Sequence, residues 1–225
     1  MKIGTVLVTG GASGLGAAVA EAVAKEGGRP VVLDRVPVEG EHRVVDLADG
    51  RATEAAVRAA SAETGGIDAV VACAGVDSCG RLDEVPPEDW ERVVRVNLLG
   101  TVAVVRAALP DLARRSGRVV TVSSTLGLRA VSDATAYCAS KFGVVGFTRA
   151  LAAETQGQVG VTLLFPGGMR TPFFDGRPDQ YKPPPDAELN RPEDVARAVV
   201  FALRQPPGCE IRELVVTPSV EGSWP

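Results

Sequence analysis

The chain has 225 residues, 45% of them hydrophobic and 23% charged, and a formal net charge of −4 at pH 7. This composition is that of an ordinary globular domain with a full-sized core, and without a basic run it excludes nucleic acid and an anionic membrane surface as expected partners. One histidine, His42, and four scattered cysteines offer neither a histidine-based triad nor a metal site; the cysteines are Cys73, Cys79, Cys138 and Cys209.

The N-terminal residues carry a short apolar run that Gly4 and Gly10 interrupt. This pattern predicts a strand rather than a signal peptide, and no apolar run is expected to be long enough to span a bilayer. We therefore expect a soluble, cytoplasmic protein without a membrane partner, whose cysteines are reduced and structural.

Short β-branched runs alternate with alanine-rich helical patterns along the chain. The apolar runs are continuous, as expected for a parallel sheet covered by helices on both faces. We predict an α/β fold of the Rossmann type, a doubly wound, mostly parallel seven-stranded sheet in one domain over residues 1–225. The predicted strands are residues 3–9, 30–34, 43–46, 67–72, 117–123, 159–165 and 211–216, and the predicted helices are residues 15–26, 51–63, 88–115, 136–154 and 192–204.

Two features interrupt this alternation. Pro110 falls within the long helical pattern 88–115 and is expected to kink or interrupt it. Residues 171–190 are irregular and contain five prolines. A segment of that length inside a compact domain is more often a lid or a binding loop than packing, so we predict a substrate lid near residues 171–190.

Glycines follow the first predicted strand and open the first predicted helix, in the segment TGGASGLG. Gly10, Gly14 and Gly16 would let the backbone turn tightly and approach a pyrophosphate, which the helix N-terminus stabilises. Asp34 lies 18 residues past Gly16 and fits the carboxylate that accepts hydrogen bonds from a ribose diol. The spacing predicts dinucleotide binding. Asp34 would repel a 2′-phosphate and favours NAD, whereas the adjacent Arg35 keeps NADP open.

Tyr137 and Lys141 are four residues apart, in a chain with only two tyrosines. On a helix, their side chains share one face. Two unit charges about 4 Å apart at an effective dielectric near 20 interact by about 4 kcal/mol, enough to lower a phenol pKa by about three units. The pair is thus predicted to donate and accept a proton near pH 7, although this spacing also occurs by chance on many helices.

These motifs resemble the single-domain short-chain dehydrogenase/reductase family over nearly the whole chain. The family pattern Thr-Gly-x-x-x-Gly-x-Gly is met at residues 9–16, and the family's Asn-Ala-Gly is replaced by Cys-Ala-Gly beginning at Cys73. Ser124 precedes Tyr137 by 13 residues, and Asn97 precedes Ser124 by 27, as in the family. The specificity lies in this combination, because each element alone has an ordinary structural explanation.

The resemblance implies hydride transfer between a nicotinamide and a carbinol or carbonyl carbon. Tyr137 would be the general acid and base, and Lys141 would lower its pKa and hold the nicotinamide ribose. Ser124 would bind the substrate oxygen, and Asn97 would hold a water that relays protons from Lys141. The implied cofactor-binding residues are Gly10, Ser13, Gly14, Leu15, Gly16, Asp34, Arg35, Asp46, Leu47, Cys73, Ala74, Gly75, Tyr137, Lys141, Pro166, Gly167, Met169 and Thr171.

Four functions are compatible with these residues. The favoured one is an NAD-dependent oxidoreductase acting on a secondary alcohol or ketone, and the main alternative is an NADPH-linked 3-oxoacyl thioester reductase. A dinucleotide sensor without turnover would not need the complete Asn-Ser-Tyr-Lys set. The glycine spacing opposes a nucleotide-sugar epimerase or dehydratase.

The substrate and the oligomer are predicted only in outline. The pocket is expected to be built from Thr125 and Leu126, residues after Asp77, and the lid, with Gly168, Phe173, Phe174 and Tyr181 forming a partly apolar wall.

Residues 98–109 and 142–152 are apolar around more than one side. In the family the corresponding helices pair across a two-fold axis, so a homodimer or homotetramer is expected, with residues 215–224 at a subunit interface.

Overall fold

The structure is a computed structural model that describes residues 3–222 of the chain. Its seven strands form one sheet in the order β3-β2-β1-β4-β5-β6-β7, and every neighbouring pair is parallel. The predicted doubly wound, seven-stranded α/β fold is therefore confirmed. The strands are β1 (Thr5–Thr9), β2 (Arg29–Asp34), β3 (His42–Val44), β4 (Ala69–Ala72), β5 (Arg118–Val122), β6 (Gly160–Pro166) and β7 (Glu213–Val216).

Helices cover both faces of the sheet. The first and last helices pack against each other on one face, and the second and fourth pack on the other. The helices are α1 (Gly14–Lys25), α2 (Gly50–Thr64), α3 (Pro87–Val94), α4 (Thr101–Arg115), α5 (Thr135–Glu154) and α6 (Pro192–Leu203). A π-helical segment, Arg95–Gly100, joins α3 to α4, and three short 3-10 turns occupy Thr125–Gly127, Pro172–Phe174 and Asp179–Tyr181.

The central strands are buried on both faces. Val6 and Val8 pack towards α1 and α6, whereas Leu7 between them packs towards α2 and α4, because successive side chains of a strand point to opposite faces. Burying each such side chain contributes about 1.5–3 kcal/mol. This two-sided burial is why the strand sequences are continuous apolar runs.

The long helical pattern differs from the prediction at Pro110. Helix α4 runs without a break from Thr101 to Arg115 with Pro110 inside it, so the helix is not interrupted at this residue, and the predicted kink stays a prediction. Proline removes one backbone donor and crowds the carbonyl four residues earlier, and the burial of Val104, Ala108 and Leu112 along α4 holds the helix together. A departure from α-helical geometry lies before α4, in the π-helical segment Arg95–Gly100.

The combined helix Pro87–Arg115 is long and apolar enough, by length and composition, to cross a bilayer. The prediction that no such stretch exists is therefore corrected. Half of its apolar window is buried inside the fold, and core helices of sheet proteins commonly meet the same criterion.

The strand order places a crevice at the carboxyl ends of the strands. Strands β2 and β3 lie on one side of β1, and β4 to β7 lie on the other, so the direction of winding reverses between β1 and β4. Ligands of doubly wound sheets bind at such a reversal. Thr9 Oγ1 accepts the Ala74 N–H at 3.0 Å and ties together the two loops that leave these strands.

Candidate active site

A cavity of about 460 Å³ opens at the carboxyl edge of the sheet. Every predicted cofactor-binding residue except Asp46 lines it, and so do Ser124, Thr125 and Leu126. The predicted wall residues Gly168, Phe173 and Phe174 line it as well. Asn97 and Tyr181 do not line it. The folding of the chain thus collects residues from Gly10 to Glu221 around one space.

The glycine-rich turn after β1 has the backbone that a phosphate loop requires. Gly10 and Gly14 have φ of +69° and +54°, a region that side chains disfavour. A Cβ on Gly16 would lie 2.1 Å from the Gly10 carbonyl oxygen. The N-cap residue Ser13 makes no side-chain hydrogen bond to the first turn of α1, so that turn keeps N–H groups for an anion. The residues therefore fit a dinucleotide pyrophosphate.

Asp34 stands beside this turn at the end of β2. One carboxylate oxygen accepts the Ala12 N–H at 3.0 Å, and the other accepts the Val36 N–H at 3.1 Å. These bonds fix the carboxylate where the cavity wall continues into Arg35. A carboxylate held in this way can also accept hydrogen bonds from a ribose diol.

Asp46 is the one predicted cofactor residue outside the cavity lining. Its carboxylate forms an ion pair with Arg92 at 3.0 Å and accepts the Ala48 N–H at 3.0 Å. Partial burial raises the pKa of Asp46, but the hydrogen bonds from Ala48 and Arg92 outweigh burial and lower it. Leu47 beside it does line the cavity.

Ser124 and Tyr137 meet at the floor of the cavity. Ser124 lies two residues after β5 and caps the following 3-10 turn, where its Oγ accepts the Leu126 N–H at 3.1 Å. A hydrogen bond also joins the Ser124 hydroxyl to the Tyr137 phenol. The two hydroxyls expected to touch a substrate oxygen are therefore adjacent.

Lys141 lies one turn after Tyr137 on α5 and is buried. Its Nζ donates to the Val122 carbonyl oxygen at 3.0 Å and lies 5.5 Å from the centre of the Tyr137 ring. Burial disfavours the charged ammonium and lowers the pKa of Lys141 from 10.5 to about 8. The ammonium is thus held against the strand end rather than against the phenol oxygen.

Burial also raises the pKa of Tyr137 above its usual value, and this exceeds the lowering by the Ser124 hydrogen bond. The predicted lowering of that pKa by Lys141 is therefore absent from this structure. The sequence argument placed two charges about 4 Å apart but could not include the burial of both groups, which disfavours each charged form. Tyr137 is consequently a neutral phenol near pH 7.

Asn97 lies behind the cavity in the π-helical segment. Its carboxamide accepts the Val76 N–H at 2.8 Å and donates to the Val76 carbonyl at 2.9 Å and to Ser140 Oγ at 3.0 Å. A Cβ on Gly75 would lie 3.6 Å from Lys141 Nζ and 3.7 Å from Asn97 Oδ1. Asn97 therefore fixes the loop after β4, and Gly75 keeps the space between it and Lys141 open.

The lid begins beside the phosphate loop. Thr171 caps the turn Pro172–Phe174, and a Cβ on Gly14 would lie 3.3 Å from the Thr171 side chain. Met169 forms a bridge to Asn190 at the far end of the lid, which closes residues 171–190 into a loop with fixed ends. The lid is thereby anchored next to the predicted nicotinamide wall.

Two charged residues near the floor were not singled out as site residues by the sequence motifs. Arg177, from the lid, forms an ion pair with Asp77 at 2.7 Å. Its guanidinium also lies 4.8 Å from the Phe173 ring centre and 4.7 Å from that of Phe174. The expected wall residue Tyr181 instead offers its carbonyl to Arg177 at 3.3 Å. The proline-rich lid and the expected pocket residues after Asp77 indicated this region, but neither singled out Asp77 or Arg177.

Glu221 also reaches the cavity without any sequence signal. Its Oε2 accepts the Gly168 N–H at 3.0 Å, so the segment after β7 lies over the loop that follows β6. The predicted interface segment 215–224 is in part the wall of the cavity, and its residue Trp224 lies outside the described residues.

Comparison with known proteins agrees with this geometry. A protein-family model described as short chain dehydrogenase matches residues 4–182, and the chain belongs to that family, as its motifs predicted. It is an oxidoreductase with a nicotinamide dinucleotide, NAD or NADP, as its cofactor. The substrate-side residues are not specified by this membership.

Individual relatives differ in what they act on. A glycine betaine reductase of Emericella nidulans is 35% identical over 96% of this chain, which spans only 19% of that longer protein. A D-beta-hydroxybutyrate dehydrogenase of Cupriavidus necator is 35% identical over 75% of this chain and 72% of its own. A D-threitol dehydrogenase of Mycolicibacterium smegmatis is 36% identical over 87% of this chain and 84% of its own. The solved alcohol dehydrogenase of Thermococcus sibiricus, complexed with 5-hydroxy-NADP, has a TM-score of 0.85 at 25% identity, covering 94% of this chain and 95% of its own.

Proposed function

We propose that this chain interconverts a secondary alcohol and its ketone, with NAD(H) preferred. The observation that carries the proposal is the placement of Ser124, Tyr137 and Lys141 at the floor of a cavity whose other end is a phosphate loop. Relatives named as dehydrogenases of hydroxybutyrate and threitol support an alcohol-type substrate.

The bound nicotinamide would accept or supply the hydride. Its pyrophosphate would be held by the turn at Gly10 and the N-terminus of α1, and its adenosine ribose by Asp34. Lys141 would hold the nicotinamide ribose. Met169 and Thr171 border the space left for the carboxamide.

Tyr137 would exchange a proton with the substrate oxygen. Because burial keeps the phenol protonated, the site is prepared to donate that proton to a carbonyl as the hydride arrives. Ser124, already hydrogen-bonded to the phenol, would stabilise the developing negative charge on the same oxygen. In the reverse direction Tyr137 would first release its own proton through the space at Gly75 between Lys141 and Asn97, and the resulting phenolate would accept the proton of the alcohol as the hydride leaves.

The proposal is tested with a panel of secondary alcohols and ketones, read at the nicotinamide absorbance with NAD and with NADP. Replacing Tyr137 by Phe should lower kcat about 100- to 10,000-fold, the usual contribution of a general acid or base, while NAD binding stays within a few-fold. Tyr181→Phe is a matched control, since Tyr181 contacts the site only through its carbonyl. Near-normal turnover by Tyr137→Phe would reject the proton-transfer role.

A 3-oxoacyl thioester reductase using NADPH is the second candidate. Arg35 favours it, because this cation lines the cavity next to Asp34 and could meet a 2′-phosphate. Including a 3-oxoacyl thioester in the panel separates the two: faster turnover of the thioester with NADPH than of any simple ketone with NADH would select the second function.

We also propose that the protein is a homo-oligomer. Leu99 is 54% exposed and Phe142 is 44% exposed, although both belong to helical segments that are otherwise packed. Two apolar side chains on neighbouring helices suit a two-fold interface. Light scattering at micromolar concentration should give a dimer or tetramer, and a monomer would contradict the proposal.

A further inference from the structure

The arginine of the lid is held in an unusual setting for a cation. The Arg177 side chain is 18% exposed, and its partner Asp77 is 6% exposed. Asp77 is itself fixed, because its carboxylate accepts the Ser78 N–H at 2.8 Å and the Cys79 thiol at 3.2 Å. The guanidinium therefore has one edge tied to a rigid carboxylate and its faces close to two phenyl rings.

Part of this guanidinium has no assigned contact. Asp77 takes one Nη, and the Tyr181 carbonyl takes the other at 3.3 Å. Among residues 3–222, the buried Nε of Arg177 has no hydrogen-bond partner. A guanidinium has five N–H donors in a fixed plane; because Nε is closed to solvent, the donors left for a ligand are the second N–H of each Nη. Arg177 lines the cavity, whereas Asp77 does not.

The position of Arg177 relates it to the reacting atoms. The Phe173 ring lies 5.8 Å from the Tyr137 ring and 4.8 Å from the guanidinium carbon of Arg177, so one side chain separates the phenol from the cation. Lys141 also lines the cavity, but its Nζ donates to Val122. The cavity's carboxylates are Asp34 at the nucleotide end and Glu221, which is bound to the Gly168 N–H.

We infer that Arg177 binds a carboxylate of the substrate, and that the chain acts on short hydroxy acids or the matching oxo acids. The inference rests on the proposed function, since it assigns the substrate class of the same site. A planar guanidinium pairs with a carboxylate through parallel N–H bonds. Asp77 orients the guanidinium and offsets its charge before a substrate binds. Phe173 and Phe174 exclude water from the guanidinium.

A different role for the same contacts is a latch that only closes the lid. In that case the Asp77–Arg177 pair would hold residues 171–190 against the loop after β4, whatever the substrate. The two roles differ in one measurable respect: a latch serves charged and neutral substrates alike, whereas a carboxylate site discriminates between them.

The test compares 2-, 3- and 4-hydroxy acids with their amides, which keep the carbon skeleton and remove the charge. For the preferred chain length, kcat/KM for the acid should exceed kcat/KM for the amide at least about 10-fold. Arg177→Gln should abolish most of this difference, because it lowers kcat/KM for the acid about 10- to 100-fold. The amide should change less than about 3-fold. Lys182→Gln removes an exposed lid cation paired with Asp179, and it should leave kcat/KM unchanged for both the acid and the amide.

Equal losses for acid and amide in Arg177→Gln would show a latch and overturn the inference, as would a wild-type enzyme that prefers every amide. Binding of butanoate, a carboxylate that cannot react, supplies a second readout by calorimetry in the presence of NAD. It should be lost in Arg177→Gln and kept in Lys182→Gln. Arg177-dependent butanoate binding without turnover of any alcohol would reject the proposed function and keep the carboxylate site, whereas butanoate binding unchanged in Arg177→Gln would reject that site.

Discussion

The two ends of the cavity are built in different ways. The nucleotide end consists of backbone turns at Gly10 and Gly16 and a carboxylate at Asp34, all within the first β-α-β unit. The substrate end depends on side chains from distant parts of the chain, such as Asp77 and Arg177, which are 100 residues apart. Backbone geometry restricts residue type at fixed spacings, but a contact between distant side chains leaves no local pattern.

Among the changes that test this difference between the two ends, the largest effect is expected from filling the phosphate turn. Gly16→Ala would place a Cβ 2.1 Å from the Gly10 carbonyl oxygen, so the turn must shift. We expect a loss of about 1–3 kcal/mol in the free energy of unfolding and a fall of about 100-fold in NAD affinity, measured by denaturant titration and by calorimetry. Gly146→Ala is the control, because a Cβ there meets nothing within 4 Å. If Gly16→Ala bound NAD normally, the nucleotide end would not depend on its backbone.

A second prediction concerns the buried ammonium at the floor, where the two ends meet. The pKa of Lys141 is lowered to about 8 in the folded protein, so the folded state releases this proton first as the pH rises. The stability of the wild type relative to Lys141→Met should therefore increase from pH 8 to about pH 10, by up to roughly 3 kcal/mol. Because Cys73 and Tyr137 are present in both proteins, the difference between their urea curves isolates the lysine. A constant difference would mean that the ammonium is not desolvated.

The cofactor preference provides a smaller and sharper test of the nucleotide end. Asp34→Asn keeps an acceptor for the Ala12 N–H but removes the charge that repels a 2′-phosphate. We expect the ratio of kcat/KM for NAD over NADP to fall about 10-fold, which corresponds to about 1.4 kcal/mol. Asp34→Ala also loses the hydrogen bonds to the backbone, so it should in addition lower the affinity for NAD. An unchanged ratio in both variants would remove Asp34 from the ribose site.

The smallest effect is expected at an exposed ion pair of the lid. Lys182 and Asp179 lie 2.8 Å apart, but the Asp179 side chain is 96% exposed. Ion pairs in full contact with water contribute little to stability, so Lys182→Gln should leave the thermal midpoint within about 2 °C of the wild type. A larger shift in calorimetry would mean that the exposed Lys182–Asp179 pair contributes to the stability of the fold.

The sequence was sufficient for the parts of the molecule that repeat a local rule. The five inner strands were predictable because burial on both faces requires continuous apolar runs, and the phosphate turn because its glycines meet steric limits. The direction of the Tyr137 pKa shift was not predictable from the sequence, because it depends on how deeply the fold buries the phenol. The sequence also could not identify three charged residues of the site, because tertiary contacts rather than spacing determine their partners; they are Asp77, Arg177 and Glu221.

The π-helical segment Arg95–Gly100 divides one long helix into two parts with different angular phase. An extra residue in a turn rotates everything after it relative to everything before it, and such turns often occur at functional sites. The direction of the Asn97 carboxamide and the direction of the outer surface of α4 are consequently set by separate turns. Substitutions on the outer side of α4 should therefore leave the orientation of the Asn97 carboxamide unchanged.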